Sequence, residues 1–416
     1  MLGKISTRKE RLMNIAAAQS GGPTCAINAS LVGVFGQALK TPEIDAVFGS
    51  KCGIEGIIKD ELIDLKRVIR SNEDMELLRQ TPSTVLGSCR YKLPEYDADD
   101  ESSEVYDRIF EVLEKHRIEA FFYIGGNDSM DTVLKLSKHA ERIGSKIRFV
   151  GIPKTIDNDL PVTDHTPGFG SAAKYVCATV QEIIRDSSVY SIDSVTIVEI
   201  MGRHAGWLTA SSCLLRVNGE IAPHLIYLPE SGFSAERFLE DVKAERAKHK
   251  AVVVAVSEGV ELDISGARSG VSDNFGHQYL SGVGKALEHL AREEIGCKVR
   301  SVELNVMQRC SSHICSKTDI DEAELIGAEA VKAAMQGKTG VTMVFRRLSD
   351  KPYVVTVDTA DTELIANKEK FFPREWINAA GNNVSDEAIK YFLPLICGEV
   401  GIKMRNGMPV HFKMNA

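Results

Sequence analysis

The sequence predicts an α/β protein of two Rossmann-like, three-layer units, each a parallel-rich sheet covered by helices on both faces. Three observations predict it. Short apolar runs alternate with longer helical patterns through most of the chain. The runs are rich in β-branched residues and almost continuously apolar, as strands buried on both faces are. The 416 residues exceed one ordinary domain and suffice for two or three of roughly 150 residues.

The elements follow in order. Residues 14–18 form a brief apolar strand ending in QSGGP, and AINASLVGVFGQALK after it reads as a helix. In VYDRIFEVLEKH, the residues Val105, Ile109, Phe110 and Leu113 fall at helical spacing, and a strand at 120–124 follows. Further strands are expected at 147–152, 195–200, 252–256 and 341–345. Leu280, Val283, Leu287 and Leu290 give an apolar helical stripe, more often core than interface. Five strands end in polar or glycine-bearing turns: Gly21-Gly22, Gly125-Gly126, Lys154 to Asp159, Met201 to His204, and Ser257 to Gly259. In open parallel sheets ligands bind outside the carboxyl ends of the strands, so these turns are where a site is expected.

Composition excludes several classes. Lys and Arg number 50 against 58 Asp and Glu, a formal charge of −8, so no broad basic surface attracts nucleic acid or anionic lipid. Nine cysteines are too few for a disulfide framework and point to a reducing, cytoplasmic compartment. The start, MLGKISTRKERLM, is charged and unlike a signal peptide, and no apolar run approaches the roughly 18 residues of a membrane span.

The turns carry chemistry in varying degree. Glycine pairs at Gly21-Gly22 and Gly125-Gly126, each before a helix, suit phosphate cradles, although a plain tight turn explains either one alone. Neither fits the P-loop or the dinucleotide fingerprint. Thr155-Ile156-Asp157-Asn158-Asp159 offers carboxylates for general-base work, against the bland reading of an Asx-rich turn. The preceding Lys154 favours the first reading, since a cation beside a base can hold a transferring phosphoryl group. Arg90, Arg203 and Arg309 present donor forks matched to phosphate, though each singly reads as a surface ion-pair partner. The spacing of Cys310, His313 and Cys315 fits no common zinc pattern, so they read as free cysteines and a surface histidine.

As an ordered set, QSGGPTCAINA, LGSCR, GGNDS, PKTIDNDL, GFGSA, EIMGRHAGW and SEG resemble the phosphofructokinase family, from Gln19 to Gly259, with the resemblance fading after Arg309. It implies two similar α/β domains with the active site in the cleft between them, a Mg²⁺ ion, and phosphorylation of fructose 6-phosphate at its 1-hydroxyl, a glycolytic step. The implied division is 1–165 plus about 308–370 for the phosphoryl donor and 166–307 plus about 371–416 for the sugar. Family members using ATP usually have Gly where this chain has Asp128, whose carboxylate would repel the α-phosphate of ATP. Asp128 with Lys154 is the pattern of members that use inorganic pyrophosphate.

The resemblance implies these roles. Asp157 is the base, oriented by Thr155 and Asp159. Gly21, Gly22, Gly126, Arg90 and Lys154 hold pyrophosphate, with Arg90 and Lys154 neutralising charge on the transferring group. Thr155, Ile156, Asp157, Met201, Gly202, Arg203, Glu258, Val306 and Arg309 hold the sugar phosphate. Asn127 and Asp128 hold the metal, and Asp128 also serves catalysis by excluding ATP. The chain departs from the family at Asn127, where the usual residue is Asp, at Ser194, where many relatives carry an Arg reaching a neighbouring subunit, and at Val306, often polar or aromatic. These departures leave Arg300 and Lys317 as further candidates for the sugar 6-phosphate. The alternatives are an ATP-dependent kinase on the same scaffold and a non-catalytic sugar-phosphate-binding regulatory subunit. The expected partners are small-molecule substrates and further copies of the chain, as a homodimer or homotetramer, with no nucleic acid and no membrane.

Overall fold

The computed structural model describes residues 12–97, 102–262 and 282–414. The charged N-terminal stretch, apart from Leu12 and Met13, and Leu280 of the apolar stripe lie outside the described residues. All six strands expected from the sequence are present, and they divide between two sheets.

The larger sheet comprises β1 (Met13–Gln19), β2 (Ile44–Ser50), β3 (Leu62–Asp64), β4 (Ile118–Gly125) and β5 (Arg148–Pro153) from the first part of the chain. The smaller has β6 (Ser194–Ile200), β7 (Leu225–Tyr227), β8 (Ala251–Ser257) and β9 (Lys298–Glu303). The chain then returns to the larger sheet with β10 (Val341–Asp350) and β11 (Tyr353–Asp361). The larger sheet runs β11-β10-β5-β4-β1-β2-β3 and the smaller β7-β8-β6-β9. Pairs in the smaller sheet are all parallel. In the larger sheet only the edge pairs β10–β11 and β2–β3 are antiparallel.

Burial explains the strand composition. Every residue of β1 and of β6 is buried, so neither face needs polar side chains. The helices Ile27–Leu39 and Lys317–Met335 pack so closely that a Cβ on Gly33 would lie 2.0 Å from the Glu324 carbonyl oxygen. The helix Val283–Ile295 buries Val283 and Leu287 against β6 and β8, so the apolar stripe is core. Beyond β11 the chain crosses to the smaller unit, where Phe372, Phe392 and Leu395 join its core. The last described residues turn back again: Phe412 and Met414 pack on the core of the larger unit, and the Phe412 N–H donates to Thr81 Oγ1 at 2.7 Å.

This topology positions the site. In the larger sheet the order reverses between β1 and β4, since β1 leads through its helix to β2 on one side and β4 leads to β5 on the other. Such a reversal leaves a crevice at the carboxyl ends of the two strands. Both Gly-Gly turns open there.

Candidate active site

A cavity of about 610 Å³ lies where the carboxyl ends of β1, β4 and β5 meet those of β6 and β8. Its wall includes Gly21, Gly22, Arg90, Gly126, Asn127, Asp128, Lys154, Thr155, Ile156, Asp157, Asp159, Met201, Arg203, Glu258 and Arg309. Gly202 is buried behind it, and Val306 stands outside it, 46% exposed.

On the β1 side, Gly21 has φ +76, a conformation that disfavours a side chain. A Cβ there would lie 3.3 Å from Lys154 Nζ, and one on Gly22 would lie 3.3 Å from Arg309 Nη1. The paired glycines thus let two cations crowd the backbone of the turn. Arg309, expected among the sugar ligands, therefore approaches the Gly21-Gly22 turn, where the sequence places the phosphoryl donor. The segment bearing Arg90 is fastened to the same turn: Ser88 Oγ donates to the Gly21 carbonyl at 2.7 Å and the Gly21 N–H to the Cys89 carbonyl at 3.3 Å. Behind it, Gln19 Nε2 donates to Asn28 Oδ1 at 2.8 Å, while the Leu86 N–H donates to Gln19 Oε1 at 3.1 Å.

On the β4 side, Gly125 is required by packing, since a Cβ would meet Ser129 Oγ at 2.0 Å. Gly126 is the N-cap of the helix Asn127–Ile143, whose first turn carries Asp128. The amino end of a helix favours an anion, whether the Asp128 carboxylate or a phosphate. Asn127 directs its amide to the chain beyond β11: Oδ1 accepts from the Asn367 N–H at 2.5 Å and Nδ2 donates to the Lys368 carbonyl at 2.6 Å.

Between these turns lies Lys154, 2% exposed, whose Nζ donates to the Gly22 carbonyl at 2.5 Å. Burial pushes its ammonium down to about 8, with the Asp157 carboxylate pulling the other way. The Asp157 N–H donates to Thr155 Oγ1 at 3.1 Å, and Thr155 Oγ1 donates to Asp157 Oδ2 at 3.4 Å. Burial raises the Asp157 carboxyl above its ordinary value, opposed by the charges of Arg203 and Lys154. Asp159 is pushed to about 7 by burial and by repulsion from Asp157. Between them Asn158 takes φ +54, tolerated by asparagine, and this kink turns both flanking carboxylates to the cavity.

From the smaller sheet, the Met201 N–H donates to Gln308 Oε1 at 3.1 Å and the Gly202 N–H to Glu258 Oε1 at 3.3 Å. Burial, then the charge of Asp157, pushes Glu258 to about 7. Arg203 Nε is buried with no hydrogen-bond partner, an unspent donor beside the cavity.

Some expected residues lie elsewhere. Arg300 pairs with Asp186 at 3.0 Å and Lys317 with Asp321, and neither lines the cavity. Ser194 is buried at the amino end of β6, the length of the strand away, roughly 20 Å. Conversely, Lys92, Asn367, Glu369 and Phe371 line the cavity without having been expected there. The segment 367–371 has no glycine turn or charge motif to announce it; it arrives only through the crossing between the two units.

The chain has extensive likenesses. Residues 14–334 match the family described as phosphofructokinase. A Xanthomonas campestris protein named pyrophosphate–fructose 6-phosphate 1-phosphotransferase is 40% identical over 408 residues, 96% of this chain and 96% of its own. A Halomonas elongata protein of the same name is 38% identical over 401 residues, covering 95% of this chain and 94% of its own. The crystal structure of a pyrophosphate-dependent phosphofructokinase from Marinobacter aquaeolei superposes with a TM-score of 0.85 at 36% identity, covering 97% of this chain and 96% of that one.

Proposed function

We propose, from the premise that this chain belongs to the phosphofructokinase family, an assignment of its cavity residues to the steps of the reaction. The enzyme moves a phosphoryl group from inorganic pyrophosphate to fructose 6-phosphate. The 1-hydroxyl oxygen attacks the phosphorus of the group in transit; the new P–O bond forms as the bridging P–O bond breaks, and orthophosphate leaves. The hydroxyl proton goes to Asp157. Its carboxyl, raised by burial, is a stronger base than a solvated one, and the Arg203 and Lys154 charges oppose its protonation.

Phosphoryl transfer is mostly positioning and charge stabilisation. Lys154, Arg90 and Arg309 bring positive charge to the Gly21-Gly22 turn, and Gly22 and Gly126 border the same space. These hold pyrophosphate. Arg203, with its unspent Nε, and the Met201 and Glu258 loops take the sugar phosphate; Glu258 accepts from sugar hydroxyls when ionised. Ile156 supplies a buried apolar wall beside them. The observation that carries the donor assignment is Asp128 in the first turn of a helix whose N-cap lies on the cradle, a negative charge where a longer nucleotide chain would continue.

The residues also fit a magnesium ion. It prefers oxygen ligands and commonly takes one or two carboxylates, substrate phosphates and water. Asp128 supplies the carboxylate. Asn127 Oδ1 keeps a second lone pair beyond its bond to Asn367. A Mg²⁺ ion held by Asp128 and Asn127 would supply positive charge to the phosphate oxygens.

We divide the chain with the larger sheet and its cradle as the donor half and the smaller sheet as the sugar half. All nine cysteines are free, which supports a reducing, cytoplasmic setting. The test of the base is Asp157→Ala: a folded variant that retains turnover with pyrophosphate overturns the assignment.

A further inference from the structure

Beyond β11 the chain turns at Asn367, which takes φ +57, and the irregular segment Lys368 to Phe372 passes beside the cavity. Glu369 and Phe371 line it; Lys370 turns away from it and Phe372 is buried in the smaller unit's core. Lys370 is the point at which this strap touches both halves of the site. Its N–H donates to the Asp159 carbonyl at 2.6 Å. Its ammonium donates to Asn158 Oδ1 at 3.3 Å and to the carbonyls of Thr163 at 3.3 Å and Asp164 at 2.8 Å. Its own carbonyl accepts from Trp207 Nε1 at 2.9 Å, and the ammonium lies 5.0 Å from the Trp207 ring centroid. Trp207 opens the short helix that follows the Met201–Gly206 loop of the sugar half.

We infer that Lys370 is a positioning residue for the reaction: it locks the kinked Asp157-Asn158-Asp159 turn and ties that turn to the sugar-binding loop through Trp207. Asn158 holds a left-handed conformation that its neighbours must stabilise, and Lys370 supplies one of the partners of its side chain. The others are the Thr166 N–H at 3.1 Å and the Tyr391 hydroxyl at 2.9 Å. Without the ammonium, Asn158 Oδ1 and the Thr163 and Asp164 carbonyls lose a donor and the contact of the charge with the Trp207 ring is gone, while the backbone bonds of residue 370 to Asp159 and Trp207 remain. The Lys370 charge also acts on Asp159, which further faces Asp157 and Glu369. Asp157 in turn faces Arg203, Lys154, Arg309 and Glu258. Lys370 itself faces Asp164, Asp159 and Arg347.

The inference rests on Asp157 as base, and the experiment separates the two. Lys370→Met and Lys370→Arg are compared with the full-length enzyme and with Asp157→Asn, measuring kcat, both KM values and the pH profile of kcat/KM. Lys370→Met is expected to lower kcat by roughly 10- to 100-fold, with each KM within about threefold, since a misplaced reacting group costs turnover more than binding. Its acid limb moves to higher pH, because a cation beside the carboxylates is gone. Lys370→Arg keeps the charge and keeps the acid limb where wild type has it. A folded Lys370→Met enzyme with kcat within about twofold of wild type and an unmoved acid limb overturns the inference, as does an Arg variant whose limb moves as far as that of Met. Should the Met variant not fold, the Arg variant carries the test alone: a wild-type limb supports the role and a displaced one overturns it. An active Asp157→Asn enzyme defeats the assignment of the base, whatever Lys370 does.

Discussion

Lys154→Met removes one positive charge from the cavity and keeps most of the side-chain volume. The lost ammonium sits against the donor cradle, bonded to the Gly22 carbonyl and 3.3 Å from a Cβ position on Gly21. A unit charge 4–5 Å from charge developing on a phosphoryl group, at an effective dielectric near 20, contributes roughly 3–4 kcal/mol. That is a loss of roughly 10²- to 10³-fold in turnover. Stability moves the opposite way. Burial lowers this lysine from its ordinary 10.5 to about 8, which corresponds to a cost to the folded state on the order of 3 kcal/mol at neutral pH. The methionine variant is therefore expected to melt no lower than wild type. The pH profile supplies a third signature. In wild type, activity needs ionised carboxylates, with Asp159 near 7, and protonated lysines, with Lys154 near 8. Activity falls below the first value and above the second. Removing Lys154 takes away one of the charges that oppose Asp157 protonation, so the acid limb moves up. The assay is fructose 1,6-bisphosphate formation from pyrophosphate across roughly pH 5.5–9.5, beside thermal melts of both proteins. A folded variant with kcat within about threefold of wild type and an unmoved acid limb would refute the reasoning.

Further predictions concern the donor, the base and the buried histidine. Asp128→Gly weakens pyrophosphate use about tenfold and raises kcat/KM for ATP by roughly 10–10²-fold, a few kcal/mol of relieved repulsion; competing-donor kinetics that leave the ratio unchanged count against Asp128 as the discriminator. Asp157→Asn keeps the shape of the turn and lowers kcat by roughly 10²–10⁴-fold with KM nearly constant, the range for loss of a general base; a parallel rise in both KM values instead would make it a binding residue. His165 is held between Asp164 at 2.8 Å and Glu322 at 2.7 Å. Burial lowers its affinity for protons, but the two carboxylates outweigh that and lift it to about 9. Its contribution is full below its ordinary value of 6.5 and is lost as pH rises through 9. The melting temperature of wild type above that of His165→Gln is therefore expected to shrink from pH 6.5 to 9, and a constant difference would show that the imidazolium is not the stabilising form.

The fold was legible where burial is complete. β1 and β8 are largely apolar because both faces are covered, and that continuity is visible in a single sequence. β2 was missed because Asp45 is exposed and Gly49 interrupts it, with Leu65 and Leu86 filling the space its Cβ would take. β9 was missed because only Val299 is fully buried in KVRSVE. The cavity wall was readable at the glycine turns and the TIDND kink, where unusual backbone demands particular residues. It was unreadable at Lys92 and Glu369, as was the support Lys370 gives from outside it, because their meaning comes from contacts across the fold. Lys370 meets Asn158 from 212 positions away, and no local pattern records such a meeting. The same holds for Arg309, whose sequence neighbours indicate an anion ligand and whose closeness to Gly22 is a tertiary fact.

The account turns on a cavity that binds pyrophosphate beside a sugar phosphate and rejects ATP. Phosphorus NMR of the purified enzyme with Mg²⁺ and fructose 6-phosphate, supplied in turn with pyrophosphate and with ATP, tests this most directly. The predicted result is fructose 1,6-bisphosphate and orthophosphate from pyrophosphate, reversal when those products are supplied, and no turnover of ATP. Robust transfer from ATP with none from pyrophosphate would contradict it.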